Sequence, residues 1–159
     1  MKSSFSIYDQ ADSLRLVTLV SRELDLDPKR MPPRGLLNRI SGLKNELVDP
    51  DTYRSQTTTD TEATLADVYT AYQTRLARAQ AVDFDDLIET TANLLTRAYA
   101  AEWVLWKLDG GISHILLDEA QDTSPAQWRI LRALTEDIFA GAGAVRDHLR
   151  TLFVVGDQK

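Results

Sequence analysis

Asp118 and Glu119 stand side by side at the end of the apolar run Ile115-Leu116-Leu117, and Gln121, Asp122 and Thr123 follow within four residues. Adjacent carboxylates in such a setting can divide two tasks. Asp118 is a hard oxygen donor of the kind Mg²⁺ takes one or two at a time, beside water and phosphate oxygens, and neighbouring Glu119 can orient or deprotonate an attacking water. A bound cation would also relieve the repulsion between the two acids. The plain alternative is a strand end with a solvated acidic turn. The carboxamide, third acid and hydroxyl that follow favour a site.

Such acids need a stiff support. Ile115, Leu116 and Leu117 read as a strand buried on both faces, which delivers Asp118 and Glu119 to the carboxyl edge of a sheet, where open α/β sheets bind ligands. Ser124 is a natural helix cap, with Pro125 at the first helical position and Gln127 third, as in a capping box. Trp128, Leu131, Leu134, Thr135 and Ile138 then form one helical face, Gly141 closes the helix, and 142–150 reads as a loop before a second buried strand over 151–155. Strand, helix, strand in this order implies parallel neighbours joined by a right-handed crossover. Asp118 and Asp157 then lie at one sheet edge. An apolar strand ending in Asp-Glu is also the Walker B pattern of P-loop nucleotidases, in which the Asp holds Mg²⁺. No Gly-x-x-x-x-Gly-Lys-Ser/Thr cradle occurs in the 159 residues.

Asp118-Glu119-Ala120-Gln121-Asp122-Thr123 resembles motif II of the UvrD/Rep group of superfamily 1 DNA helicases. Ala120, Gln127-Trp128 and 139–141 are most similar to the AddA helicase-nuclease subunit, and 152–159 looks like the start of motif III. Asp83-Phe84-Asp85-Asp86-Leu87-Ile88 resembles the family's return from a helical insertion, and Ile40-Ser41-Gly42-Leu43-Lys44-Asn45 resembles part of that insertion. The resemblance implies a partial RecA-like (P-loop NTPase) α/β fold, a parallel sheet preceded by a mainly helical insertion subdomain, divided as 1–82 and 83–159. It implies ATP and Mg²⁺ as cofactors, Asp118 on the metal, Asp118 and Asp157 at the nucleotide, Glu119 activating water and Gln121 relaying nucleotide state. The implied partners are DNA and an AddB-like subunit. As a central slice of such a helicase, the chain alone is expected to be inactive for want of a P-loop. Two strands without the rest of their sheet expose edges and apolar faces, which predicts self-association or a missing neighbour.

The remainder of the chain supplies the frame. Five cations and no acid lie between Pro28 and Asn45: Lys29, Arg30, Arg34, Arg39 and Lys44. In a chain of net charge −6 this is the one phosphate-facing patch the sequence offers; Arg39 and Lys44 are expected off the apolar face of a helix over 34–48, and the resemblance implies that Arg34, Arg39 and Lys44 contact DNA. A helix over the region of Leu16 to Leu24 starts at the Asp9 cap, 49–51 ends the basic helix, and 54–61 reads as an exposed loop. Tyr69 and Tyr72 could stack on bases, but their spacing with Leu65, Val68 and Leu76 reads as core. Asp83 and Asp86 are spaced as a cap and its third helical position, with Phe84, Leu87, Ile88, Thr91, Leu94, Leu95 and Ala98 as the apolar stripe. Trp103 and Trp106 fall on one helical side, expected against the sheet. His114, with no Cys or His nearby, reads as no metal site.

Absence of cysteine fits a reducing compartment, and no apolar run approaches the ~20 residues of a membrane span, so the expected location is cytoplasmic. Two other classes remain open. One is a nonenzymatic helical module that binds single-stranded DNA or a protein. The other is a free-standing metal-dependent hydrolase using Asp118, Glu119 and Asp157.

Overall fold

Capping chemistry sets most of the helix starts in the first half of the chain. Asp9 accepts a 2.8 Å hydrogen bond from the Asp12 amide at the start of α1 (Gln10–Glu23), and Pro33 opens α2 (Pro33–Asn45) at a position that needs no N–H. Asp49 accepts from the amides of Asp51 and Thr52 and begins α3 (Pro50–Gln56). The expected loop over 54–61 is therefore half helix. The Asp-Pro pair that was to stop one helix starts the next, because a side-chain acceptor followed by a fixed φ is itself an amino-terminal signal. Thr59 and Glu62 form a reciprocal capping box for α4 (Asp60–Arg78). Two short parallel strands, β1 (Ser6–Tyr8) and β2 (Ala81–Asp83), pair Ser6 with Ala81 and Tyr8 with Asp83, and α5 (Phe84–Thr96) follows at once. Three residues carry too little pattern to declare a strand, which is why the first of these read as a lead-in.

The computed structural model describes residues 5–97, 99, 101–109, 111–140 and 150–157. It divides into two compact units, Met1–Glu89 and Thr90–Lys159. In the first, α1, α2 and α4 bury Val17, Val20, Leu36, Ile40, Leu65, Val68, Tyr69, Tyr72 and Leu76 together with Ala81. Tyr69 and Tyr72 are thus core. Burial pushes both phenols well above the ordinary tyrosine range.

One buried polar cluster stands beside this core. The Lys44 side chain is fully enclosed, with Nζ 2.6 Å from Asp83 Oδ2 and 2.8 Å from Asp86 Oδ1. The Tyr72 hydroxyl donates to Asp83 Oδ2 at 2.8 Å, and Gln73 donates to Asp86 Oδ1 at 3.1 Å. Asp83 and Asp86 also cap each other's backbone, the Asp86 amide donating to Asp83 Oδ1 and the Asp83 amide to Asp86 Oδ2. These contacts tie the start of α5 to the first unit.

In the second unit, α6 (Ala101–Asp109) precedes β3 (His114–Leu117), a short 3₁₀ turn (Ala120–Asp122), α7 (Pro125–Ala140) and β4 (Thr151–Val154). Ser124 and Gln127 form the expected capping box, the Gln127 amide donating to Ser124 Oγ and the Ser124 amide to Gln127 Oε1. The expected closure at Gly141 and most of the expected loop over 142–150 lie outside the described residues, as does Ala98. β3 and β4 are parallel neighbours, His114 against Thr151 through Leu117 against Val154.

Burial corrects the sequence reading here. β3 alternates, with Ile115 and Leu117 half-buried and Leu116 71% exposed, and Phe153 opposite Leu116 is 62% exposed. Successive side chains point to opposite faces; β3 has one partly covered face, whereas every residue of β4 is exposed, so the second strand expected to be buried is not. Trp103 and Trp106 are 60% and 69% exposed and are not packed on the sheet. Phe84 and Leu94 are exposed too, and Ala92 and Leu95 are the buried positions of α5. No helix among the described residues is long and apolar enough to cross a membrane.

Burial pushes the Asp83 carboxyl up, but the Lys44 charge and the hydrogen bonds from Lys44, the Asp86 amide and Tyr72 hold it below the ordinary carboxylate value. An acid depressed in the folded state contributes stability above its unfolded value and loses it as pH falls through the folded one. The urea midpoint of the wild-type chain is therefore expected to fall below about pH 4 more steeply than that of Asp83→Asn. Parallel profiles down to strong acid would show that this carboxylate is not stabilised by folding.

Candidate active site

Asp118 follows β3 directly, and Asp157 lies three residues beyond β4, so both stand at the carboxyl edge of the parallel pair. The pairing does not stop where the strands do. The Val155 amide donates to the Leu117 carbonyl at 2.8 Å, and the Ala120 amide donates to the Val155 carbonyl at 2.9 Å. These bonds fix the loop carrying the acids against the loop carrying Asp157. Between them Glu119 adopts a left-handed conformation, φ 50° and ψ 45°, uncommon for a residue with a side chain. The Asp118 carboxylate supports it by accepting from the Glu119 amide at 2.9 Å through Oδ1.

Gln121 joins the two loops through its side chain. Its Nε2 donates to Glu119 Oε2 at 2.5 Å, and its Oε1 accepts from the Asp157 amide at 2.9 Å. Gly156 makes this possible: a Cβ there would fall 2.6 Å from Gln121 Oε1 and 3.1 Å from the Ala120 nitrogen. Contact that close leaves glycine the fitting residue. The importance of Gly156 was missed from sequence, where it was only one letter of a strand-end motif.

Asp118 and Glu119 are exposed and border an open depression of about 450 Å³ lined also by Leu117, Asp122, Thr123 and Gln127, with Ile130 and Leu131 of α7 behind. Among the described residues no three His, Cys, Asp or Glu side chains converge on one point. Asp118, Glu119 and Asp122 all border this depression, and Asp118 could hold a cation there whose shell is completed by water and ligand oxygens. That donor set suits Mg²⁺ and is poor for Ca²⁺ or Zn²⁺. His114 Nδ1 lies 2.9 Å from Thr151 Oγ1 across the strands, a local side-chain contact.

Of the three cations assigned to DNA, the structure keeps two at the surface. Arg34 and Arg39 are exposed on α2, Arg39 donating to the Tyr53 hydroxyl at 3.3 Å, and Lys29 and Arg30 are exposed before it. Lys44 is buried in its acid pair and offers no charge to a phosphate. The signal was present: Leu36, Ile40 and Lys44 are spaced by fours and so share the buried row of the helix, while three carboxylates wait at 83–86.

The sequence matches the family model described as UvrD/REP helicase N-terminal domain over residues 1–159. It is 46% identical over 138 residues to the ATP-dependent DNA helicase UvrD1 of Mycobacterium tuberculosis (strain ATCC 25618 / H37Rv), covering 84% of this chain and 17% of that protein. It is 41% identical over 137 residues to UvrD1 of Mycobacterium leprae (strain TN), with 84% and 17% covered. To the ATP-dependent DNA helicase PcrA of Bacillus subtilis (strain 168) it is 36% identical over 154 residues, with 97% and 19% covered. The chain thus spans under a fifth of the length of these three relatives.

Gly156→Ala is expected to displace the Gln121 carboxamide and expose the Asp157 amide, raising its hydrogen-exchange rate about fivefold, the worth of one hydrogen bond of ~1 kcal/mol. Gln121→Ala should do the same. An Asp157 amide equally protected in both variants would mean that Gln121 does not join the loops.

Proposed function

Since the chain belongs to the UvrD/REP helicase N-terminal domain family, we propose that it forms part of an ATP-dependent DNA helicase and supplies the acidic half of its nucleotide site. The observation that carries this reading is the linkage Glu119–Gln121–Asp157 at the edge of two parallel strands. In this reading Asp118 holds a nucleotide-bound Mg²⁺, and the chemistry the ion supplies when bound is neutralisation of charge on phosphate oxygens. Glu119 orients the attacking water and takes its proton. Gln121 holds the Glu119 carboxylate on one side and the Asp157 backbone on the other, so a shift of either loop reaches the other. Asp157 faces the nucleotide from the adjacent strand.

DNA is the proposed second substrate, met by Arg34 and Arg39 on α2. A strand passing over this face would find cations that no described carboxylate pairs, whereas Lys44 is already neutralised. Within the family, the relatives matched across most of the chain favour a UvrD1- or PcrA-type parent. Ala120 and Gln127-Trp128 support an AddA-like one in the second half, and with it an AddB-like partner. We take the broader description, a UvrD/PcrA-type helicase working on DNA in repair, as the reading the identities support. A cytoplasmic location accords with it and with the absence of cysteine.

A second reading concerns the chain by itself. Its 159 residues contain no phosphate-cradling glycine loop with its lysine, so alone it would act as a binding module. Purified chain with ATP and Mg²⁺ is expected to release no phosphate above background. Turnover that disappears in Asp118→Ala would instead make this chain a complete hydrolase. A labelled single-stranded oligonucleotide is expected to bind more weakly as salt rises, with Arg34→Glu and Arg39→Glu together removing most of the affinity. Unchanged binding in that double variant would remove α2 from the DNA-contacting surface.

A further inference from the structure

Little apolar surface holds the β2–α5 junction in place. Ala81 and Val82 are buried but small, Phe84 is 58% exposed, and Leu87 and Ile88 are half-buried. β1 adds a three-residue pairing along one edge of β2. Against this weak apolar grip stands the polar cluster, in which four elements converge on one ammonium. Lys44 comes from α2, Asp83 from β2, Asp86 from α5, and Tyr72 with Gln73 from α4. Lys44 Nζ also lies 5.1 Å from the centre of the Tyr72 ring. Alongside, Asn45 Nδ2 donates to Asp85 Oδ1 at 3.0 Å, a second bond from the end of α2 to the start of α5.

The charges do not balance symmetrically. One cation faces two carboxylates whose side chains are 7% and 12% exposed. Removing either acid leaves a matched pair. Removing the lysine leaves two adjacent buried anions, which the interior solvates poorly. The cluster is therefore far more sensitive to Lys44 than to either aspartate.

We propose that Lys44 is a latch: it fastens the segment made of β1, β2 and the first turns of α5 to α2, and that segment opens as a unit when the latch is lost while the α1–α2–α4 core stays folded. The apolar contacts among α1, α2 and α4 do not pass through Asp83 or Asp86, and the segment enters that core through Ala81, with Tyr8 packed against it, so most of the core's side chains lie outside the segment. If the DNA contact proposed above holds, the latch also makes Arg34 and Arg39 one mechanical piece with the entry to α5.

Native-state hydrogen exchange on the 159-residue chain tests this. In Lys44→Met, amides over 81–88 and 6–8 are expected to exchange ~100-fold faster or more, from the cost of stranding a buried charge. Amides of Val17, Val20 and Val68 should change by no more than a few-fold. Uniform acceleration through both groups, or no acceleration in either, overturns the latch. Should Lys44→Met fail to fold, Asp86→Asn keeps a matched Lys44–Asp83 pair and is expected to give a smaller acceleration confined to the same residues. Acceleration elsewhere would overturn the proposal equally.

Oligonucleotide binding separates the latch from the DNA reading on which that last coupling rests. The slope of log affinity against log salt counts neutralised phosphates at roughly 0.7 each for single strands. Arg39→Ala should reduce the slope by about that amount and Lys44→Met should leave it unchanged; a reduced slope in Lys44→Met would make Lys44 a phosphate contact and overturn the latch. If the wild-type chain binds no oligonucleotide, the DNA contact falls and the exchange pattern alone decides the latch.

Discussion

An ammonium group taken wholly out of water must find its solvation in the protein, and around Lys44 that need organises the first unit. Two carboxylates and the ring face of a tyrosine surround it. Satisfying one charge thus fixes the end of α2, the Tyr72 turn of α4, the carboxyl end of β2 and the first turn of α5. The same carboxylates cap α5, so a single pair of acids serves helix initiation and charge pairing together. A buried ion pair is weak support for net stability, since well-packed apolar groups could do as well. What it contributes is direction. An apolar patch tolerates sliding by a residue, whereas an ammonium between two carboxylates has one register.

The second unit solves its positioning problem by the opposite means. Its acids are exposed, β3 is half-covered and β4 is exposed throughout, so burial does not hold them. Backbone bonds extend the β3–β4 ladder past the strands to Ala120, and one carboxamide spans from Glu119 to the Asp157 amide. Gly156 leaves room for the Gln121 carboxamide, whose Oε1 would lie 2.6 Å from a Cβ at that position. The left-handed Glu119 follows from this arrangement. A turn tight enough to bring Ala120 under Val155 demands it, and the Asp118 carboxylate offsets part of the cost by accepting the Glu119 amide.

Legibility of these features from sequence followed the number of residues that carried each one. The motif around Asp118, the Ser124–Gln127 cap and the parallel order of β3 and β4 were readable because several residue types agreed. Tyr69 and Tyr72 were readable as core from spacing alone. β1 was not, because three residues hold no period, and the α3 start at Asp49-Pro50 was mistaken for a stop because both signals use the same letters. The burial of Trp103 and Trp106 was overestimated because side-chain spacing says which residues share a face, not whether anything covers it. Lys44 was misassigned for a more instructive reason. Residue type outweighed position: a lysine in a cationic stretch was taken for surface although its spacing from Leu36 and Ile40 put it inside.

Charge composition gains a meaning from that correction. The chain is acidic overall, which would disfavour a polyanion if the charge were spread evenly. It is not spread evenly. Asp83 and Asp86 are turned inward onto Lys44, Asp9 and Asp49 accept from amides in the first turns of α1 and α3, and Glu62 accepts from the Thr58 and Thr59 amides ahead of α4. Lys44 offsets one of the two charges of Asp83 and Asp86, whereas the amide-bonded acids keep their charge at the surface. Arg34 and Arg39 stand exposed on α2, whose only other charged residue, Lys44, is turned inward onto Asp83 and Asp86, so they present local positive charge on a net-negative protein.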